Sequence, residues 1–167
     1  MRIFLIGMPG SGKSHWMRKL AHHLKYDGLD LDVFIETTEQ QTIASMFEMG
    51  EDHFRKKETK ALKNTIEKFQ DNFIIATGGG VPFFYDNMEW MKKNGTVVYL
   101  NADVDYLFKN LVNAYVERPL LKSGSKEEVL DKLSKLYEKR KEIYQQAHHI
   151  IDIEGATLST FAEILGF

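Results

Sequence analysis

The sequence predicts an α/β fold in three layers, a five-stranded parallel sheet with helices on both faces. Three observations predict it. Short apolar runs rich in β-branched residues alternate with longer stretches whose apolar residues recur every three or four positions. The first run leads directly into "GMPGSGKS" at 7–14, where three glycines stand close to a lysine. Finally, 43% apolar and 28% charged residues over a length of 167 suit one globular domain, 1–167, around a single core.

Ile3–Ile6 reads as the first strand, and the stretch after the glycines, 12–25, as the first helix. A weaker strand follows at Leu29–Leu31, then helices at 39–47 and 50–70. Phe73–Ala76 is the third strand, followed by a helix at 84–94. Thr96–Leu100 is the fourth strand, and the stripe Val104, Leu107, Phe108, Leu111 marks a helix over 103–113. Helix 126–147, strand His149–Ile153 and helix 156–165 complete the pattern, while "KSGSKEE" at 122–128 is polar and flexible. In such a fold, ligands bind outside the carboxyl ends of the strands.

Lysine and arginine total 22 against 24 acidic residues, so no overall basic field draws nucleic acid or an anionic membrane, and any anion site is local. The absence of cysteine excludes a disulfide framework and thiolate metal sites and fits a reducing compartment. No apolar run approaches the roughly 20 residues of a membrane span, and "MRIFLIGM" is too short for the apolar region of a signal peptide. A cytoplasmic enzyme or binding protein is expected. The six histidines show no spacing with carboxylates that suggests a metal site.

Gly7, Gly12, Lys13 and Ser14 satisfy the pattern G-x-x-x-x-G-K-S/T between a strand and a helix. Glycines let backbone N–H groups converge on phosphate oxygens, and the positive end of the following helix adds to the attraction. Lys13 would reach the terminal phosphates and the Ser14 hydroxyl would ligate magnesium. No Asn-Lys-x-Asp guanine-reading segment occurs.

"LDLDVFIE" sets Asp30 and Asp32 at the end of the second strand, two residues apart and so on one face of it. One carboxylate can support magnesium through water and the other can orient or deprotonate an attacking hydroxyl. Turn formation or simple solvation is the competing reading. In helix 50–70, Arg55, Glu58, Leu62, Ile66 and Phe69 share one stripe, so a charged pair lies on the apolar face. Arg55 and Glu58 either pair with each other or act together, Glu58 holding Arg55 so that its fork grips a small substrate. Phe47 and Phe54 flank that region and could wall a pocket. In helix 126–147, Leu133, Tyr137, Arg140 and Tyr144 share a stripe, which turns Arg140 inward unless it snorkels. Two inward arginines suggest an anionic small molecule.

"ATGGG" at 76–80 follows the third strand, either as a close approach of backbone to ligand or as a plain tight turn. Arg118 precedes Pro119 in a segment without strong period, which puts it on a loop, where an arginine can neutralise a phosphoryl group in transfer.

From Arg2 to about Ala147 these elements together resemble shikimate kinase. The family order is a P-loop, D-x-D-x-x-I-E, G-E-x-x-F-R-x-x-E, G-G-G, an arginine-proline lid and an arginine on a late helix. Here the same order reads Gly7 to Ser14, Asp30 to Glu36, Gly50-Glu51 with Phe54-Arg55 and Glu58, Gly78 to Gly80, Arg118-Pro119, and Arg140. The resemblance implies a P-loop kinase of the nucleoside monophosphate kinase-like class, monomeric, with a mobile lid near 112–126 and an acceptor-binding helical region at 32–62.

It further implies transfer of the γ-phosphoryl of ATP, with magnesium, to the 3-hydroxyl of shikimate. Gly7, Gly10, Ser11, Gly12, Lys13, Ser14 and Arg118 would hold the nucleotide, and Ser14 and Asp30 the metal. Lys13, Asp32 and Arg118 would be catalytic, with Asp32 as the base, and Asp32, Arg55, Gly78, Gly79, Gly80 and Arg140 would bind shikimate. Two positions depart from the family: Leu111 stands where an adenine-stacking arginine is common, and "IDIEGAT" lacks the asparagine of the usual adenine loop. The alternatives are another small-molecule kinase, such as a gluconate kinase, and a nucleotide-binding regulatory module without transfer activity.

Overall fold

The computed structural model describes residues 1–69, 71–113 and 124–167. Five parallel strands form one sheet: β1 (Arg2–Ile6), β2 (Asp27–Asp30), β3 (Phe73–Ala76), β4 (Thr96–Asn101) and β5 (His149–Asp152). Their order is β2-β3-β1-β4-β5, with β1 at the centre. Leu5 of β1 is in register with Ala76 of β3 on one side and Val98 of β4 on the other. The chain thus departs from opposite sides of β1, and a crevice opens at its carboxyl end, where Gly7 begins.

The inner strands read as unbroken apolar runs because both of their faces are covered: Ile3 to Ile6 and Phe73 to Ile75 are fully buried. β2 lies at an edge, and its exposed Asp27 and Gly28 account for its weak signal. Gly28 also admits helix α1 (Lys13–Leu24), since a Cβ there would lie 2.6 Å from the Met17 sulfur. α1 buries Trp16, Met17, Leu20 and Ala21, and Trp16 stacks on Phe161 of helix α8 (Leu158–Leu165) at 4.4 Å.

The described helices between these are α2 (Leu31–Glu39), α3 (Ile43–Glu48), α4 (Glu51–Lys68), α5 (Asn87–Asn94), α6 (Val104–Asn113) and α7 (Lys126–Tyr144). A single 3-10 turn at Val81–Phe83 follows the triglycine. Among the described residues no helix is long and apolar enough to cross a membrane.

α2 corrects the sequence reading. The spacing predicts a strand through Leu31 with Asp30 and Asp32 on one strand face, whereas β2 ends at Asp30 and Asp32 lies in the first turn of a helix. Asp30 causes the change: its Oδ1 accepts from the backbone N–H of Asp32 at 3.1 Å and of Val33 at 3.5 Å, an N-cap that starts α2 at once. The helix expected at 39–47 is broken for a related reason. Gln40, in the left-handed region at φ 52, closes α2, and Thr42 caps α3 through the Ser45 N–H at 3.1 Å. Glu36 Oε1 accepts from the Ile43 N–H at 2.9 Å and ties the two helices together.

Candidate active site

The glycine loop is held from two sides. Gly7, Gly10 and Gly12 have φ of 150, 86 and 82, conformations that side-chain-bearing residues rarely adopt. A Cβ at Gly7 would lie 2.8 Å from the Leu100 carbonyl oxygen of β4, and one at Gly10 2.6 Å from the Leu107 oxygen of α6. Gly12 is the N-cap of α1 and offers no side-chain cap, so the first N–H groups of that helix are left for a ligand. Lys13 Nζ arches back over the loop and donates to the Gly7 and Met8 oxygens, each at 2.9 Å.

Ser14, one residue into α1, donates its hydroxyl to the Asp30 carboxylate at the end of β2. The two residues expected at a metal therefore meet directly, across adjoining elements. Magnesium takes oxygen ligands and keeps most of its waters, so one hydroxyl and one carboxylate suit it. Among the described residues no three His, Cys, Asp or Glu side chains group as a metal cluster.

Next to this pair the N-terminal turn of α2 brings in Asp32, which is half-buried. Burial, and then the charge of Asp30, hold its carboxyl above the usual range, while Lys13 and Arg55 pull the other way. A Cβ at Gly78 would lie 3.0 Å from Asp32 Oδ1 and 3.0 Å from Glu58 Oε1, so the first glycine of the triplet makes room for two carboxylates.

Glu58 and Arg55 of α4 are 1% and 7% exposed. Arg55 Nη1 donates to Glu58 Oε2 at 2.8 Å, and Nη2 reaches Glu51 at 3.3 Å. Burial pushes the Glu58 carboxyl up to about 7 against the opposing pull of Arg55. Three rings surround the guanidinium, Phe84 at 4.2 Å, Phe54 at 5.2 Å and Phe47 at 5.5 Å. The pairing of Arg55 with Glu58 is thus present, and the fork that it fixes faces Gly80, where a Cβ would lie 2.6 Å from both Nη atoms.

Arg140, on α7, reaches the neighbouring glycine. A Cβ at Gly79 would lie 3.0 Å from Arg140 Nη1, 3.3 Å from Pro9 and 3.4 Å from the Gly7 oxygen. The triglycine therefore lies against both the phosphate loop and the two arginines. None of Gly78, Gly79 and Gly80 has positive φ, so what glycine supplies here is clearance, most of all at Gly80, and not backbone conformation.

Bonds and close approaches link Lys13 to Gly7, Ser14 to Asp30, Asp30 to the turn of Asp32, and Gly78, Gly79 and Gly80 to Asp32, Arg140 and Arg55, all beyond the carboxyl end of the sheet. Arg118 lies outside the described residues, as does most of the lid expected at 112–126. Leu111 is fully buried, as its apolar stripe implies. Sequence reasoning did not single out three other residues. Tyr144, fully buried, donates its hydroxyl to the Gly79 oxygen at 2.6 Å, although its stripe had marked it only as inward-facing. Phe83 and Phe84, in the run "GGGVPFF", face Arg140 and Arg55 at 5.9 and 4.2 Å, and their nearness to the triglycine was the signal that would have found them.

A family model described as shikimate kinase matches residues 9–166. A shikimate kinase of Clostridium botulinum (strain Eklund 17B / Type B) is 39% identical over 165 residues, covering 99% of this chain and 93% of that protein. The crystal structure of shikimate kinase from Bacteroides thetaiotaomicron is similar at a TM-score of 0.93 and 36% identity, over 100% of this chain and 99% of the other. That of the Acinetobacter baumannii enzyme in complex with shikimate gives 0.86 and 32%, over 99% of this chain and 93% of the other. With the motif order, the fold and the family model in agreement along almost its whole length, the chain belongs to the shikimate kinase family.

Proposed function

We propose that this protein transfers the γ-phosphoryl group of ATP to the 3-hydroxyl of shikimate. The observation that carries the reading is the meeting of two guanidinium groups, Arg55 and Arg140, on the adjacent glycines 80 and 79, beside Asp32 and against the phosphate loop. A small molecule with a carboxylate at one end and a hydroxyl at the other matches that order of groups. The arginine forks bind the carboxylate, the Gly79–Gly80 backbone lies against the ring, and Asp32 accepts a hydrogen bond from the reacting hydroxyl.

As the oxygen attacks the γ-phosphorus and the bond to ADP breaks, the hydroxyl proton passes to Asp32. The raised affinity of its carboxyl for a proton suits it as acceptor. Lys13 and the N–H groups of the loop hold the phosphate chain, and Arg118 is assigned to the phosphate charge from its place in the motif order. Ser14 and Asp30 would hold a magnesium ion, which neutralises charge on the phosphate oxygens when bound. Positioning and electrostatics account for most of the catalysis in this scheme. The chain acts as one domain and a monomer in the cytoplasm, with residues 32–62 forming the acceptor side and 112–126 the lid.

A substrate panel with coupled detection of ADP tests the reading. Turnover of shikimate with gluconate inert is the expected result. Turnover of gluconate with shikimate inert, or tight ATP binding without transfer to any acceptor, overturns it.

A further inference from the structure

The phosphate loop has an anchor that its motif does not contain. Asn110, on the inner side of α6, donates its side-chain amide to the Gly10 carbonyl oxygen at 2.8 Å, across 100 residues of sequence. Leu107 and Leu111, on either side of it in the helix, are fully buried, and both approach the Cα of Gly10: a Cβ there would lie 2.6 Å from the Leu107 oxygen and 3.1 Å from Leu111 Cγ. The apex of the loop is thus seated on one face of α6, with one polar tether among apolar contacts.

The tether matters because of what a glycine loop lacks. Gly10 and Gly12 both have positive φ, and no side chain at either position resists rotation of the peptide groups between them. A phosphate site needs those N–H dipoles aimed inward. If the peptide after Gly10 turned over, its carbonyl oxygen would move toward the anion and repel it. Asn110 holds that oxygen, while the N–H of the same peptide, that of Ser11, donates to the Met8 oxygen at 3.2 Å within the loop. We infer that Asn110 is a positioning residue for the phosphate chain of the nucleotide, acting through the Gly10 carbonyl and touching no substrate itself.

The inference rests on reading residues 7–14 as the phosphate site, and its test does not require transfer to shikimate. Asn110→Leu removes the donor, keeps a similar volume and favours the helix, so folding is retained; Asn110→Gln keeps an amide donor. Binding of ATP and of inorganic tripolyphosphate is measured by titration calorimetry without acceptor, alongside thermal melting. The loss of one hydrogen bond that orients the cradle is expected to raise both dissociation constants roughly tenfold in Asn110→Leu. Asn110→Gln is expected to stay within about threefold of the parent, with the KM for the acceptor unchanged in both. The inference is overturned if Asn110→Leu binds both anions as the parent does, or if both variants weaken alike. Should the parent bind nucleotide but fail to phosphorylate shikimate, the proposed function falls and the role of Asn110 is still decided by these constants.

Discussion

Gly80 and Arg55 are so close that a methyl group at position 80 would lie 2.6 Å from both terminal nitrogens of the guanidinium. Gly80 has φ −84, which alanine adopts without strain, so the effect of Gly80→Ala is purely one of space. The added methyl displaces a fork held by Glu58 and Glu51. We expect the KM for shikimate to rise by about tenfold or more, the equivalent of one lost charge-assisted bond, with the KM for ATP little changed. Steady-state kinetics with each substrate varied in turn checks this, and equal changes in both constants would count against it.

Tyr144→Phe removes one oxygen atom from a fully buried position and leaves the Gly79 carbonyl without its 2.6 Å donor. A loss of about 1–2 kcal/mol in unfolding free energy is expected, measured by urea denaturation. Because the same glycine adjoins Arg140, the KM for shikimate should rise as well. A variant with parental stability and parental KM would show that the hydroxyl holds nothing in place.

Asp32→Asn separates catalysis from stability. The proposed role of Asp32 as proton acceptor predicts a kcat lower by roughly 100-fold or more. Its carboxyl is held above the ordinary range by burial and by Asp30, so at neutral pH the ionised form opposes folding. The neutral isostere should therefore melt no lower than the parent, and above it at pH 7.5, by calorimetry. A marked drop in Tm would contradict the assignment of strain to this carboxylate.

Glu58 sets a pH dependence with a definite sign. Its carboxyl is pushed from the ordinary 4.5 up to about 7, so the folded chain binds that proton more tightly than the unfolded chain. The contribution is fully present below about 4.5 and is lost as pH rises through about 7. Asp32 acts in the same direction, and the informative quantity is the difference between parent and Glu58→Gln. Over this window the parent should lose more stability with rising pH than the variant, as followed by denaturant midpoints. Parallel curves would exclude Glu58 as the titrating group.

The parts of the site most legible in the sequence were those that depend on spacing along one helix or one loop. Gly7 to Ser14 carry their geometry in their order, and Arg55 and Arg140 betrayed their inward aim by sharing a stripe with Leu62 and Leu133. What escaped depended on contacts between distant segments or on a local competition. Asp32 read as a strand residue, whereas the Asp30 carboxylate captures two N–H groups of the next turn and starts a helix there. The edge position of β2, with its exposed Asp27 and Gly28, left little hydrophobic pattern to mark where that strand stopped. Asn110 and Tyr144 act on carbonyls 100 and 65 positions away, and no periodicity encodes such a pairing.

Trp16 supplies an optical probe of the nucleotide site. It is one of two tryptophans in the chain, and the other, Trp90, packs on Phe4 at 6.0 Å, away from the loop. The indole of Trp16 comes within 3.6 Å of the space above Gly12, so anything that reorganises the loop alters its surroundings directly. In a Trp90→Phe background, emission from this single fluorophore reports loop occupancy during a nucleotide titration, and a rapid-mixing record of the same signal times the arrival of the phosphate chain.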